Sequence, residues 1–481
     1  MKRFTKKGSP LVLALALVGS ISFSCGQDRW KEYEPLTAVD TWMYGLMQQE
    51  YLWYKDMLPQ DDKSYNPFQA PATFLSAIRA KNDNVSFVDT VMESLPPSYG
   101  FDYSLVRNPD IDTAFNALVT YVIPHSPADA AGLKRGNWIV KVDTSYISKK
   151  YEVPLLQGTK ATRLQMGIYK EVEIPSEIEG GEPTKAWRVV PEGDPVDMGA
   201  AEVVEDDPVH YHTVLELNDG SKVGYLMYSN FTAGTDDNPE KYNDELRAWS
   251  ASLASQGVDR LILDLRYNAG GTIDCVQLLA TLLAPARYLD QDMVMLRYSD
   301  KNAAKDATLT FDSQLIGQGK NLDLKLIYVL TGSETGGGAE MLMCGLNKRT
   351  PALGIVGANT RGVNVATERF VNEEYHWAVN PVVCTVYDTS GGTYASGYVA
   401  NIPASATDYT LFLPFGDPRE ALLAKALEAL NNPAQPTDPG DATRNGAAAP
   451  GFRVEKSVSD PASRVYAGGR GIKIGKRAYR R

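Results

Sequence analysis

Apolar positions recur at helical spacing through residues 38–57, AVDTWMYGLMQQEYLWYKDM, and aromatic rings crowd the stretch. A Pro/Asn-rich connection leads to a second helical run, ATFLSAIRA over 72–80. The two predict a small N-terminal helical segment lying on a larger body. The pattern then changes. ALVTYVIPHSPADAAGLKRGNWIVKVD (117–143) reads as strand, turn, short helix, glycine turn and strand. Ser126 can cap that helix, Pro127 begin it and Gly132 end it, and Gly136 turns the chain into WIVKVD. From 222 onward strand-like and helix-like runs alternate: KVGYLMYSNF, then DDNPEKYNDELRAWSASLASQG, then VDRLILDLRYN. CVQLLATLLA, LKLIYVLTG, AEMLMCGLNKR and ALGIVGANT continue the rhythm. Parallel neighbours need a crossover helix, so this order predicts an α/β core with a largely parallel sheet. DPREALLAKALEALNN (417–432) closes the folded region as a helix. Beyond it Pro, Gly, Ala, Ser and charge dominate, and residues 432–481 are expected to be mostly disordered, a basic tail kept solvated by its charge.

Length and charge narrow this picture. A chain of 481 residues exceeds one ordinary domain. A formal charge of −11 argues against general nucleic-acid binding. The four cysteines, at 25, 275, 344 and 384, have no metal-ligand spacing, and Cys275 and Cys344 fall in apolar runs that suit buried free thiols. No HExxH or paired Cys/His arrangement occurs, so neither a metal nor another cofactor is expected. The N-terminus carries Lys2, Arg3, Lys6 and Lys7 ahead of an apolar run over 11–23 and the sequence SFSC. That order predicts a signal peptide over 1–24. With Ser22 three residues before it, Cys25 resembles the lipidated cysteine of a bacterial lipobox, which implies a lipid anchor in the cell envelope. No feature of the sequence specifies an oligomeric state.

The candidate chemistry lies in LTGSETGGGAEMLMCGL (330–346), three glycines between a strand-like and a helix-like run. Such turns hold nucleophiles or anions, but no Lys-Ser/Thr follows the glycines, so a phosphate loop is excluded. Two resemblances give the stretch a context. SPADAAGLKRGN (126–137) resembles the PDZ domains of bacterial proteases, which bind extended peptides or protein C-termini by strand addition. Their carboxylate loop would correspond to Tyr99, Gly100, Phe101 and Tyr103, with Asp102 beside it. GYLMYSNF and LILDLRYNAGG resemble the tail-specific, or C-terminal processing, serine proteases, and FGDPREALLAKALEAL resembles their closing helix.

This resemblance covers about residues 30–430 and implies a Ser/Lys dyad, with the serine at a strand-to-helix turn and the lysine kept deprotonated in an apolar pocket. Aligned on Ser333, Thr335 and Glu340, the nucleophile position is Gly337. In GANTRGV (357–363) the lysine position is Val363. The expected oxyanion-type loop is Asn268, Gly270, Gly271 and Gly338, whose amides, with those of Gly336 and Gly337, would form a small nest for a carboxylate or carbonyl. Without the dyad, the resemblance implies a peptide-binding protein. The alternative is an active serine endopeptidase with relocated residues, for which Ser333 is the fallback nucleophile. Arg361 would make a poor base because it stays protonated; of the four histidines, which include His376, His125 falls in the PDZ-like turn and His210 and His212 at a polar strand entry. The expected organisation is therefore a signal peptide (1–24), a linker and helical segment (25–93), a β-rich PDZ-like domain (94–205), a protease-like core (206–431) and the tail (432–481).

Overall fold

A computed structural model of the chain describes residues 37–58, 66, 68–91, 96–148, 156, 158–176, 178, 180–205, 207–347, 349, 353–404, 412–432, 454–458 and 471–475. The expected signal peptide and Cys25 lie outside these residues.

The N-terminal segment is helical as expected. Helices α1 (Ala38–Glu50) and α2 (Pro71–Ile78) bury Met43, Met47, Phe74, Leu75 and Ile78 in one cluster, which also takes in Val363 and Val365. This segment therefore walls Val363 from behind. Strand β1 (Phe87–Thr90) follows it and joins a three-stranded antiparallel sheet with β18 (Phe370–Asn372) and β19 (Trp377–Asn380).

A β-rich unit comes next. Its strands are β2 (Phe101–Arg107), β3 (Ala114–Val122), β4 (Trp138–Val142), β5 (Ser145–Ser148), β6 (Thr162–Ile174), β7 (Thr184–Pro191) and β8 (Val196–Met198). All pair antiparallel. The short helix α3 (Pro127–Ala130) starts as read from the sequence, with Ser126 Oγ accepting from the Asp129 N–H at 3.2 Å.

The core contains two six-stranded sheets. One comprises β9 (Val209–Glu216), β10 (Lys222–Tyr228), β11 (Arg260–Asp264), β15 (Leu326–Thr331), β16 (Leu353–Gly357) and β21 (Ile402–Pro403). Every pair in it is parallel except the β9 edge. The other comprises β12 (Gly270–Thr272), β13 (Asp292–Tyr298), β14 (Ala307–Thr310), β17 (Val365–Thr367), β20 (Val382–Tyr387) and β23 (Gly471–Lys473). Only β12–β23 and β23–β17 are parallel there. The expectation of a largely parallel fold is thus corrected to mixed sheets. In the second sheet β13 and β14 are joined by a short connection with no crossover helix, and such a connection gives antiparallel neighbours. Helices α4 (Lys241–Ser255), α5 (Ile273–Leu283) and α6 (Gly338–Leu346) fill the main core between the two sheets, while α7 (Ala421–Asn431) covers the opposite face of the first. Leu261 and Leu263 face the main core and Ile262 faces α7, so the apolar run of β11 is buried on both sides.

The tail also departs from expectation. Residues 454–458 form β22, antiparallel to β2, and 471–473 form β23 inside the core sheet. Local composition predicted disorder, but strand edges far upstream in the sequence supply the missing partners.

A buried charged cluster joins the β-rich unit to the core. Arg266 pairs with Asp264 (2.8 Å) and with Glu420 Oε2 (2.8 Å), and Arg135 reaches Glu420 Oε1 at 3.3 Å. Arg135 also donates to the Thr120 carbonyl (2.8 Å) and the Tyr267 hydroxyl (2.7 Å), with its guanidinium 3.6 Å from the Phe412 ring centroid. Glu420 in turn caps α7 by accepting from the Leu422 and Leu423 N–H groups, each at 3.1 Å.

Candidate functional site at the triple-glycine turn

The turn between β15 and α6 is held from below. The Gly332 N–H donates to Thr335 Oγ1 (2.9 Å), which donates onward to the Leu265 carbonyl (2.8 Å) at the end of β11. The Gly336 N–H donates to the Asn268 carbonyl at 3.1 Å, and the Gly270 N–H to Asn268 Oδ1 at 3.0 Å. Two loops that each carry glycines are thereby clamped edge to edge.

Glu340, in the first turn of α6 and fully buried, supplies the second clamp. Its Oε2 accepts from the Gly337 N–H (3.0 Å) and the Val363 N–H (2.7 Å). Its Oε1 accepts from the Gly362 N–H (2.6 Å) and from the Thr360 hydroxyl. Four donors at a helix N-terminus thus satisfy both oxygens of the buried carboxyl group. One side chain therefore brings together the two positions aligned to a serine and a lysine. Val363 is almost wholly buried against the N-terminal helices.

Gly270, Gly271 and Gly338 converge on Phe231, and Asn268 joins them through its hydrogen bond with Gly270. The Phe231 N–H donates to the Gly270 carbonyl (3.0 Å), the Phe231 backbone abuts Gly271, and its ring lies 2.8 Å from where a Gly338 Cβ would stand. The N–H groups of Gly336, Gly337 and Gly270 are already committed to Asn268 and Glu340, so the expected anion nest is reduced by these three donors. Close packing explains part of the glycine content that resembled an oxyanion loop.

The structure places the remaining expected site residues as follows. The rings of Tyr99, Phe101 and Tyr103 are buried in the core of the β-rich unit, and Gly100 abuts Ser126. What β2 offers outward is its backbone edge, taken by β22. Ser333 is exposed on the turn, and among the described residues no histidine, lysine or carboxylate hydrogen-bonds to it. His210 instead meets Tyr121 edge-on at 4.7 Å. Cys275, Cys344 and Cys384 are buried and, among the described residues, form no disulfide.

Sequence reading missed what stands in front of Gly337. Strand β23 runs between β12 and β17, and the Gly471 N–H donates to the Ala269 carbonyl at 2.8 Å. A Cβ built on Gly337 would lie 2.5 Å from the Gly471 carbonyl carbon. Gly337 has φ +56°, a region that L side chains rarely adopt. Gly337→Ala is accordingly expected to destabilise the chain by about 1–3 kcal/mol through strain and the collision with Gly471. Chemical denaturation of the variant beside the parent checks this, and an unchanged midpoint would contradict the close approach.

The model of the peptidase family S41 matches residues 222–401, and that of the peptidase S41 N-terminal domain matches residues 38–87. A Bacteroides fragilis NCTC 9343 crystal structure, described as that of a putative S41 protease, is 42% identical, covers 82% of this chain and 98% of its own, and superposes with a TM-score of 0.75. The chain belongs to peptidase family S41. A carboxyl-terminal-processing protease from Picosynechococcus sp. (strain ATCC 27264 / PCC 7002 / PR-6) is 24% identical to this S41 chain over 266 residues. That match covers 55% of this chain and 54% of the relative, about half the length of each. The photosystem II D1 C-terminal processing protease is 16% identical, covering 80% of this chain and 99% of its own, with a TM-score of 0.44. The matched core region spans β10 to the loop before β21, and so contains the turn, the Asn268 loop and Val363.

Proposed function

We propose that this S41 chain binds extended peptides or protein C-termini without cleaving them. The observation that carries the reading is the pairing of Gly337 and Val363 on one Glu340 oxygen, at 3.0 and 2.7 Å. The two positions aligned to nucleophile and base meet as a dyad would, yet glycine offers no nucleophile and valine no amine. Binding would use strand addition, because the β-rich unit, read as a PDZ domain, presents the backbone edge of β2 and the core presents the slot beside β12. The name of the Picosynechococcus relative, a carboxyl-terminal-processing protease, supports C-termini as the ligand class.

Fluorophosphonate labelling tests the inactive half. The parent chain is expected to remain unlabelled; labelling that disappears in Ser333→Ala would establish the relocated-serine alternative instead.

Lipid anchoring at Cys25 is part of the same proposal and places the chain in the bacterial envelope. Among the described residues no helix is long and apolar enough to cross a membrane. Metabolic labelling with an alkyne fatty acid is expected to mark the parent and not Cys25→Ala. Equal labelling of both would refute the anchor.

A further inference from the structure

The slot between β12 and β17 is one strand wide, and the chain fills it with residues from its own far C-terminal region. Gly471, Ile472 and Lys473 lie in parallel register against Gly270, Gly271 and Thr272 on one side. Ile472 and Lys473 lie in parallel register against Ala366 and Thr367 on the other. The Ile474 N–H continues the ladder to the Thr367 carbonyl at 2.9 Å.

The position of Gly471 matters most. A Gly337 Cβ would be 2.5 Å from its carbonyl carbon, 2.6 Å from its Cα and 2.7 Å from its oxygen. A side chain at residue 337 would thus be aimed at the Gly471–Ile472 peptide group, the relation an attacking side chain has to a bound peptide. Gly270 abuts the Gly471 carbonyl from the other side. No side chain at 270, 337 or 471 intrudes, so three glycines make this backbone contact possible.

The following residues are held by their side chains. Ile472 is fully buried in the main core. Lys473 is buried with its Nζ 5.6 Å from the Phe87 ring centroid, and its charge is felt by Asp89, which is ion-paired with Arg369. Burial pushes the Lys473 amine well below its ordinary range, with Asp89 opposing and Arg369 reinforcing that shift. Upstream in the same tail, β22 adds antiparallel to the edge of β2. One tail therefore engages both edges to which a peptide would add, and being tethered it enjoys a high effective concentration at each.

We propose that residues 471–475 are this chain's own groove-bound peptide, occupying the slot beside Gly337 in the manner of an extended ligand, so that an outside peptide must displace the tail. The ligand class is an extended segment with glycine opposite Gly337, a branched apolar residue next and a lysine after it, the lysine received between Phe87 and Asp89. This rests on the reading of the slot as a peptide site.

Two measurements on the full chain test it. In amide hydrogen exchange of the parent, Gly471 and Ile474 are expected to be protected like the strands flanking them; exchange at the rate of an unstructured peptide would overturn the proposal without any substitution. The second compares binding of a fluorescein-labelled peptide of residues 466–477, YAGGRGIKIGKR, to the parent and to Ile472→Asp/Lys473→Glu, which should release the tail. Binding to the parent is expected to be about tenfold or more weaker than to the variant. Equal binding would overturn tail occupancy while leaving peptide binding standing. No binding to either, with exchange showing the variant's tail released, would overturn both.

Discussion

Glu420→Gln is expected to lower stability by about 3–5 kcal/mol and to loosen the junction between the β-rich unit and the core. Glutamine fills the same volume but leaves the buried guanidiniums of Arg266 and Arg135 with Asp264 as the remaining anion of the cluster. The acid response provides a separate readout. Burial alone would push the Glu420 carboxyl up, but Arg266 and then Arg135 outweigh it and hold the group at about 2. Its folded value lies below the unfolded value of 4.5, so the stability it contributes is complete above pH 4.5. That contribution is lost as pH falls from 4.5 toward 2, and the difference between the two values corresponds to about 3 kcal/mol. Urea titrations across this range should show the parent losing its advantage over Glu420→Gln. A constant gap between the two proteins would show that the pairing is not the source of the stability.

Glu340→Gln should have the second large effect, about 2–4 kcal/mol, and a more local one. A glutamine amide offers one acceptor oxygen where the carboxylate serves the N–H groups of Gly337, Gly362 and Val363 and the Thr360 hydroxyl. The Val363 loop should then detach from the glycine turn. Hydrogen exchange should rise at residues 336–338 and 360–364 before it rises in α4, which packs elsewhere in the core. Uniform acceleration over the chain would mean that Glu340 supports the fold at large rather than this junction.

Most of the site was legible because it is built from contiguous text. LILDLRYNAGG marked β11 and the Asn268 loop, and GSETGGGAE marked the turn that faces it. Glu340 stood out as an alignment anchor, although its sharing between Gly337 and Val363 emerged only with the fold. The strand-and-helix rhythm gave one sheet correctly. It missed the second because short β-returns carry no crossover helix to signal them. Phe101 and Tyr103 of the expected carboxylate loop lie in β2, which is buried on both faces, and Tyr99 just before it packs in the same cluster, a placement that the loop's sequence did not show.

The tail was the largest omission. GIK is too short to show a period, and its partners lie about a hundred and two hundred residues upstream, so nothing local distinguishes it from disorder. The same absence of side chains that made Gly337 look like a lost nucleophile is what allows Gly471 to reach it.

Binding without cleavage is decided most directly by incubating the purified full chain, at a concentration equal to its substrate, with a library of peptides bearing free C-termini and following the library by mass spectrometry. The glycine and valine at 337 and 363 predict that every peptide keeps its ends, with a subset retained by the protein. New termini that accumulate with the parent chain and vanish in Ser333→Ala would contradict it.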